Sequence, residues 1–373
     1  MKILITGAKG FIGKNLAYRL KNAGRDQIYE YGRESGEGCL KEYCADCDIV
    51  FHLAGVNRPE SEEEFARGNV ELTRRLTEYL EAANNPAPIL FTSSTQAVLE
   101  NPYGVSKYGA EQILESYGNR NQSKVMIFRM PNVFGKWSRP EYNSAVATFC
   151  YKIARSKPIR VNDPAHEMDL LYIDDLTEEF AGYAEALEKN EELPNGRIAL
   201  KSPIYHKTLG EVAELIRSFP GHRRDLTVPR LDDPFVSKLY STYLSFLPPE
   251  GFSYPLDMKV DERGSFTEFI RTPERGQVSV NISHPGIIKG QHWHDSKNEK
   301  FLVARGKALI RFRRVGEEEI IDYHVSGEKL QVVEIPTGYV HCIINEGDED
   351  LVTIMWANEA FDPQKPDTWR EEV

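Results

Sequence analysis

The hydrophobic pattern of this chain changes once along its length, and this change limits the fold to two differently built domains. In the first 200 residues, short β-branched runs alternate with amphipathic helical stretches, a rhythm typical of a parallel sheet covered by helices on both faces. The predicted strands are Ile3 to Thr6, Gln27 to Tyr31, Ile49 to Leu53, Ile89 to Thr92, Val125 to Arg129 and Ile198 to Leu200. We therefore expect an α/β Rossmann domain, a doubly wound parallel sheet.

Beyond Tyr254 the pattern becomes short alternating strands separated by glycine-containing turns, without intervening helices. This pattern predicts an antiparallel, all-β sandwich or barrel. A helical pattern from Thr208 to Phe246 separates the two halves, and the run Leu247 to Gly251, which contains two prolines, ends it. A chain of 373 residues exceeds what one hydrophobic core usually organises. We place the domains at 1–245 and 246–373.

The formal charge of -11 makes sequence-independent binding to nucleic acid unfavourable, because phosphates are repelled over most of the surface. Met1 and Lys2 run directly into the first strand, which leaves no room for a secretory signal. No apolar run approaches the roughly 20 residues of a membrane span. The five cysteines suggest no disulfide framework, and the Cys44 and Cys47 pair lacks the second pair of a zinc ribbon. We expect a cytoplasmic protein that acts on small molecules.

A glycine-rich loop follows the first strand at once and opens a helix. Glycines at this spacing let backbone amides approach a pyrophosphate at a helix N-terminus, so the loop predicts a dinucleotide cofactor. The expected cofactor contacts are Gly7, Gly10, Phe11, Ile12 and Gly13, together with Leu53 and Ala54 of the stretch His52 to Gly55, which would lie under the cofactor.

The end of the second strand indicates which nicotinamide cofactor is used. An NAD site would have an acid there to hold the ribose hydroxyls, and Glu30 is the candidate if one exists. Arg33 follows Gly32 directly, and a guanidinium at a strand tip suits a 2′-phosphate. We expect NADPH.

Tyr103 and Lys107 form a YxxxK pattern at the start of a helical stretch, just after a buried strand and the hydroxyl cluster Thr92 to Thr95. One helical turn places the two side chains on the same face, so that the ammonium can lower the phenol pKa. The tyrosine can then transfer a proton while a hydride moves.

Over residues 1 to 245 the sequence resembles the extended short-chain dehydrogenase/reductases that act on nucleotide sugars. The matching stretches are GAKGFIG, HLAG at 52–55, Asn69 with Val70, the serine and YxxxK set, RMPNVFG at 129–135 and DLLYIDDL at 169–176. The resemblance implies that Ser94 orients the substrate oxygen, with Thr95 as the alternative. It also implies that Tyr103 is the acid and that Lys107 also holds the nicotinamide ribose.

The sequence departs from the 4,6-dehydratases of that family in one place. Those enzymes have an Asp and then a Glu or Lys after the catalytic hydroxyl residue, whereas this chain has Thr95 and Gln96. The residues that eliminate water are missing. The departure favours a reductase or a 4-epimerase.

The second half carries a metal-binding pattern. His292 and His294 lie two apart on a predicted strand, a hairpin returns Glu299 beside them, and a later strand supplies His341. The spacings from Gly286 to Gly306 and from Pro336 to Asn345 resemble the two cupin motifs, although Leu330 occupies the place of the second motif's leading glycine. These four residues are expected to bind a divalent cation, and we expect zinc rather than iron or manganese.

This half also has a looser likeness to the cupin-type epimerases of deoxysugar nucleotides, whose base is the histidine of an RGxH segment. His292 stands at that position but is already a predicted metal ligand. Lys289, Glu299 and Tyr339 are the other candidates for proton transfer.

Across the whole chain the sequence resembles the bifunctional capsular-polysaccharide enzymes of the UDP-N-acetyl-L-fucosamine pathway, the CapF or WbjC group. The resemblance implies C3 epimerisation of a UDP-2-acetamido-2,6-dideoxy-4-ketohexose by the cupin, followed by NADPH-dependent reduction at C4 to the L-talose sugar. We expect a homodimer. Three alternatives remain: a reductase whose cupin is only a metal-stabilised dimerisation module, an NADP-binding regulator without catalysis, and a 4-epimerase with retained NAD.

Overall fold

The computed structural model describes residues 1–57, 61, 63–272, 274–360, 362–364 and 366–373. The chain divides into two compact units. One comprises Met1–Ser218 and Asp232–Pro248, and the other Phe219–Leu231 and Pro249–Val373. The second unit therefore includes a short segment that lies before the boundary drawn from the sequence. Each unit has its own core.

The helices and strands of the first part of the chain alternate as its sequence pattern predicts. The strands are β1 (Ile3–Thr6), β2 (Ile28–Tyr31), β3 (Ile49–His52), β4 (Ile89–Ser94), β5 (Val125–Met130), β6 (Asn132–Phe134), β7 (Glu167–Tyr172), β8 (Gly196–Arg197) and β9 (Ile204–Thr208). The α-helices are α1 (Phe11–Asn22), α2 (Glu37–Asp46), α3 (Glu63–Phe65), α4 (Leu72–Ala82), α5 (Pro102–Asn121), α6 (Ala145–Ile153), α7 (Ile173–Glu188), α8 (Leu209–Arg224) and α9 (Pro234–Leu244). A π-helical turn, Ala66–Glu71, precedes α4.

Six strands form one parallel sheet in the order β2-β1-β3-β4-β5-β8. Two apolar clusters cover its faces, so its central strands are buried throughout, as in doubly wound folds. The chain crosses from one side of β1 to the other between β2 and β3, which makes the carboxyl ends of β1 and β3 a topological switch point, the usual place for a ligand. A small sheet, β6-β7-β9, lies in the same unit.

One strand lies just before the residues predicted to form it. The ladder with β5 uses Gly196 and Arg197, and the run Ile198 to Leu200 that was predicted as the strand follows it. Ile198 still donates its amide to the Ile127 carbonyl at 2.9 Å, but the pairing ends there. The apolar run marks the side chains that pack on the core rather than the residues that pair.

The second unit is all β. Its strands are β10 (Lys259–Asp261), β11 (Gly264–Thr272), β12 (Gly276–Ser283), β13 (Ile288–Trp293), β14 (Glu299–Arg305), β15 (Lys307–Arg314), β16 (Ile320–Ser326), β17 (Val332–Ile335), β18 (Tyr339–Asn345), β19 (Leu351–Ala357) and β20 (Trp369–Arg370). They form two antiparallel sheets, β10-β11-β12-β19-β14-β17 and β16-β15-β18-β13-β20, around a shared apolar core. The predicted fold class, Rossmann plus β-barrel, is confirmed for both halves.

Among the described residues, no helix combines the length and the apolar character that crossing a bilayer requires.

Candidate functional site

The glycine loop between β1 and α1 is packed too tightly for side chains. Gly7 has a φ of +70°, and a Cβ there would lie 2.7 Å from the Ala54 amide nitrogen. A Cβ on Gly13 would lie 2.2 Å from the Gly7 carbonyl oxygen. Helix α1 begins at Phe11 without a side-chain cap from Gly10, so its first amides are available to an anion. This geometry fits a dinucleotide pyrophosphate.

His52, the last residue of β3, is hydrogen-bonded to the end of β1 near this loop. Its Nδ1 lies 2.7 Å from the Thr6 hydroxyl and its Nε2 lies 2.9 Å from that of Thr73. Burial lowers the pKa of His52 to about 3, so the ring is neutral. The Leu53 and Ala54 amides donate to the Thr6 carbonyl and hydroxyl, respectively. The backbone predicted to lie under the cofactor is thereby fixed.

The tip of β2 presents a cation rather than a free acid. Glu30 accepts a hydrogen bond from Lys21 at 2.6 Å, on the neighbouring helix. Arg33 lies exposed in the turn that follows β2. Glu34 pairs with Lys9 of the glycine loop.

The structure brings Ser94, Tyr103 and Lys107 together. Ser94 ends β4, and its side chain is close enough to that of Tyr103 to lower the phenol pKa. Lys107 lies one turn further along α5 and donates from Nζ to the Thr92 carbonyl at 2.8 Å. Thr95, the alternative to Ser94, is exposed in the turn after β4.

Burial controls the protonation of this group. It raises the pKa of Tyr103, and the interaction with Ser94 offsets this effect only in part. The expected lowering of the phenol pKa by the lysine is therefore wrong for this structure, because desolvation of the phenolate dominates. Burial also lowers the pKa of Lys107 to about 8, while the nearby Glu111 raises it. At neutral pH the site holds a phenol that can give a proton and a cation beside it.

Glu111 is a neighbour of this site that the sequence analysis missed. It is fully buried on α5, one turn beyond Lys107, and Arg129 donates two hydrogen bonds to it at 3.0 and 2.8 Å. Ser93 donates a third at 2.5 Å. The i, i+4 spacing of Lys107 and Glu111 on a helix was the signal that could have found it.

The metal candidates of the second unit also converge. His292 on β13 lies opposite His341 on β18, and a bulge between Gly290 and His292 sets this register. Gly290 has a φ of +103°, and a Cβ there would lie 2.8 Å from the His341 carbonyl oxygen. His294 follows β13 directly and Glu299 begins β14. Three of the four residues therefore lie on strands, whereas His294, predicted on the same strand as His292, lies just beyond the end of β13.

The donor atoms of His292, His294, Glu299 and His341 all lie within 4.8 Å of one another. The Glu299 Oε2 is 3.7 Å from the His294 Nε2 and 3.6 Å from the His341 Nε2, too far for hydrogen bonds. Those two nitrogens are buried and have no hydrogen-bond partner. Burial lowers the pKa of His292 to about 4, and although burial acts against it, the histidines hold the pKa of Glu299 at about 2. Burial acts to lower the pKa of His294, but Glu299 and the Asp367 backbone raise it overall. Because a divalent cation can replace a proton between imidazole nitrogens and a carboxylate, the cluster fits a divalent cation.

A cavity of about 450 Å³ opens onto this cluster. Lys289 lines it and donates from Nζ to the Asn281 side chain at 2.8 Å and to the Ile282 carbonyl at 2.7 Å. Burial lowers the pKa of Lys289. Of the other two proton-transfer candidates, Glu299 lines the cavity and Tyr339 is not among its lining residues.

Three other histidines pair with acidic side chains, and Cys44 and Cys47 are buried. His206, His284 and His324 pair with Asp169, Asp350 and Glu346 at the surface. Burial raises the pKa of Cys44 and of Cys47 to about 12 each, so neither is a reactive thiolate.

Both halves of the chain match known protein families. Residues 3–199 match the NAD dependent epimerase/dehydratase family, and residues 259–369 match the polysaccharide biosynthesis C-terminal domain. The chain belongs to the NAD dependent epimerase/dehydratase family. A nicotinamide cofactor is therefore supported for the first unit.

Two relatives match the chain over its full length. The UDP-2-acetamido-2,6-beta-L-arabino-hexul-4-ose reductase of Pseudomonas aeruginosa is 45% identical over 369 residues, 99% of this chain and 98% of that protein. The crystal structure of the capsular polysaccharide assembling protein CapF from Staphylococcus aureus is 51% identical, with a TM-score of 0.92 and complete coverage of both chains. The predicted membership of the CapF group is confirmed.

A third relative matches a shorter stretch of the chain. The spore coat polysaccharide biosynthesis protein SpsL of Bacillus subtilis is 28% identical over 120 residues, 30% of this chain and 80% of that protein.

Proposed function

We propose that the N-terminal domain reduces the C4 ketone of a UDP-2-acetamido-2,6-dideoxy-4-ketohexose with NADPH, giving a UDP-2-acetamido-2,6-dideoxy-L-talose. The observation that carries this proposal is the grouping of Ser94, Tyr103 and Lys107 beside the glycine loop. The name of the Pseudomonas reductase, a protein 45% identical over almost the whole chain, supports the substrate class. The Staphylococcus protein supports a place in capsular polysaccharide synthesis. The proposed product would lie on the route to UDP-N-acetyl-L-fucosamine.

The chemistry follows from the positions of the three side chains. Bound NADPH supplies the hydride. Tyr103 gives its phenolic proton to the ketone oxygen as that oxygen becomes an alkoxide, and Ser94 orients the same oxygen. Lys107 holds the nicotinamide ribose, and solvent returns a proton to the phenolate that remains. The raised pKa of Tyr103 keeps the proton in place until the hydride arrives.

The cofactor is held by the glycine loop and the strand tips. Gly7, Gly10, Phe11, Ile12 and Gly13 supply backbone for the pyrophosphate, with Leu53 and Ala54 under the dinucleotide. Arg33 binds the 2′-phosphate, because its cationic side chain is exposed just after β2. Glu30, the acid that could hold the ribose hydroxyls, is already hydrogen-bonded to Lys21.

The β-barrel domain carries out the other step, epimerisation at C3, which precedes the reduction. His292, His294, Glu299 and His341 hold a zinc ion. Such an ion would supply positive charge beside the enolate that forms when the C3 proton, which is acidic because of the neighbouring ketone, is removed. Lys289 lines the same cavity and is our candidate for the proton-transfer group.

The alternative is that the metal only stabilises a dimerisation module. The cavity favours catalysis, because structural zinc sites are closed whereas catalytic ones keep a position open to a ligand. Incubating the full-length protein with the UDP-4-keto sugar and NADPH, followed by NMR of the products, tests both steps. Stoichiometric NADPH consumption excludes the 4-epimerase with retained cofactor, and any turnover excludes the non-catalytic regulator. Sedimentation would test the proposed homodimer.

A further inference from the structure

The end of the chain runs along the strand that carries a metal candidate. Residues 366–373, the C-terminal segment, include β20, which pairs with β13 so that Arg370 lies opposite His292. Beyond this pair, the Glu371 and Val373 amides donate to the carbonyl and side chain of Gln291, at 3.1 and 2.8 Å. The segment is thus an edge strand of the sheet that contains the metal cluster.

Asp367 of this segment holds the loop between two proposed ligands. Its carboxylate accepts hydrogen bonds from the amides of Asp295, Ser296 and Lys297 at 2.9, 3.0 and 2.8 Å. The Ser296 hydroxyl donates a fourth at 3.0 Å. Although desolvation acts against it, these bonds hold the pKa of Asp367 well below its usual range. The loop they fix joins His294 to Glu299.

The main chain of Asp367 makes a separate contact with the cluster. Its carbonyl oxygen accepts the Nδ1–H of His294. A neutral imidazole that donates from Nδ1 has an unprotonated Nε2, and this is the nitrogen of His294 that lies buried, without a hydrogen-bond partner, facing Glu299. Asp367 has a φ of +38°, a left-handed conformation that costs energy for a residue with a Cβ, and its hydrogen bonds hold it there.

We propose that Asp367 is a positioning residue for the metal site, acting twice: its carboxylate fixes the loop that spaces His294 from Glu299, and its carbonyl selects the metal-binding tautomer of His294. This proposal rests on the metal function proposed above. Partners that orient metal-binding histidines typically matter roughly 10- to 100-fold in metal affinity. The C-terminal segment therefore serves the metal site rather than only closing the barrel.

The test compares the full-length Asp367→Asn variant with wild type. An amide keeps the size of the side chain but turns one acceptor into a donor that faces backbone N–H groups. Asp362→Asn is the matched control, because Asp362 is close in sequence, exposed, and accepts a local hydrogen bond from the Gln364 amide. We expect D367N to weaken zinc binding roughly 10-fold or more in chelator competition, with D362N unchanged.

A second readout separates positioning from general stability. The visible spectrum of the cobalt-substituted protein reports ligand geometry, and D367N should shift its bands while circular dichroism of the variant matches wild type. Equal zinc affinity and an unchanged cobalt spectrum in D367N would overturn the proposal while leaving the metal site intact. A wild-type protein that binds neither zinc nor cobalt would overturn the metal site as well.

A variant that keeps the carboxylate covers the case in which D367N does not fold. Ser296→Ala removes one of the four hydrogen bonds and no ligand. It should weaken zinc binding by twofold or more, and wild-type affinity would contradict the proposal.

Discussion

The two candidate sites hold their functional atoms in opposite ways. In the Rossmann unit, Tyr103 and Lys107 already have protein partners, the Ser94 hydroxyl and the Thr92 carbonyl. In the barrel, the Nε2 atoms of His294 and His341 are buried with no hydrogen-bond partner. The polar side chains of the first group are paired within the protein, whereas the second group leaves buried nitrogen atoms that an added cation would satisfy.

This difference predicts that the two sites fail independently. Changes to the hydroxyl and lysine group should stop proton transfer without affecting metal. Loss of a ligand histidine should remove the metal without affecting the reductase. The experiments below test this separation, beginning with the largest expected effect.

Replacing Tyr103 with phenylalanine should lower the rate of NADPH oxidation by about 100-fold or more, because hydride transfer to a ketone needs a proton for the oxygen. The ring contact with Phe65 is preserved, so the fold and NADPH binding should survive. Steady-state kinetics with the UDP-4-keto sugar measures the effect. Tyr108→Phe on the exposed side of the same helix is the control. Turnover of Y103F within about tenfold of wild type would contradict the assignment.

Replacing His292 with alanine should lower metal affinity by about 10-fold or more and stop exchange of the C3 proton with solvent deuterium. The variant should still reduce a ketone that is supplied already epimerised. Metal content, followed by NMR of the exchange, measures both effects. His324→Ala, at an exposed histidine paired with Glu346, should change neither.

A folded, metal-free H292A protein that exchanges the C3 proton at the wild-type rate would make the metal structural. Lys289 would then be the next residue to test. Circular dichroism must accompany this experiment, because a structural metal also contributes to folding.

Replacing Arg33 with alanine should weaken NADPH binding by roughly tenfold and leave NADH binding unchanged, since a hydrogen bond between charged groups is lost only with the 2′-phosphate. Fluorescence titration with both cofactors measures the difference. NADH serves as the internal control. Equal weakening of both would refute the NADPH assignment.

The smallest expected effect concerns pH. Burial places the pKa of Lys107 at about 8, below its ordinary value, so its charge is present below that pH and is lost as pH rises through it. Reductase activity should fall over this range. Lys107→Arg keeps its charge, and its remaining activity should not fall between pH 8 and 9.5. An identical alkaline fall in K107R would assign the titration to another group.

The sequence predicted the parts of this molecule that depend on local pattern. The parallel strands, the position of the YxxxK pair and the four clustered metal candidates follow from periodicity and spacing, because a strand or helix fixes which side chains share a face. The order of strands and the choice between Ser94 and Thr95 as the partner of Tyr103 needed the structure.

The features that the sequence could not predict depend on burial and on contacts between residues far apart in the chain. The raised pKa of Tyr103 arises from desolvation, which no spacing reveals. Asp367 lies about 70 residues along the chain from the loop whose amides it accepts, and its backbone carbonyl also accepts a hydrogen bond from His294. The strand Ile198 to Leu200 was misplaced because an apolar run indicates packing and not pairing.

The central claim is that one chain carries out two steps in two domains. The most direct measurement runs the wild-type reaction with the UDP-4-keto sugar and NADPH in deuterium oxide. The account predicts one NADPH consumed per product and deuterium at C3 of the reduced sugar. A reduced product formed at full stoichiometry with hydrogen retained at C3 would contradict it, leaving the barrel without a catalytic step.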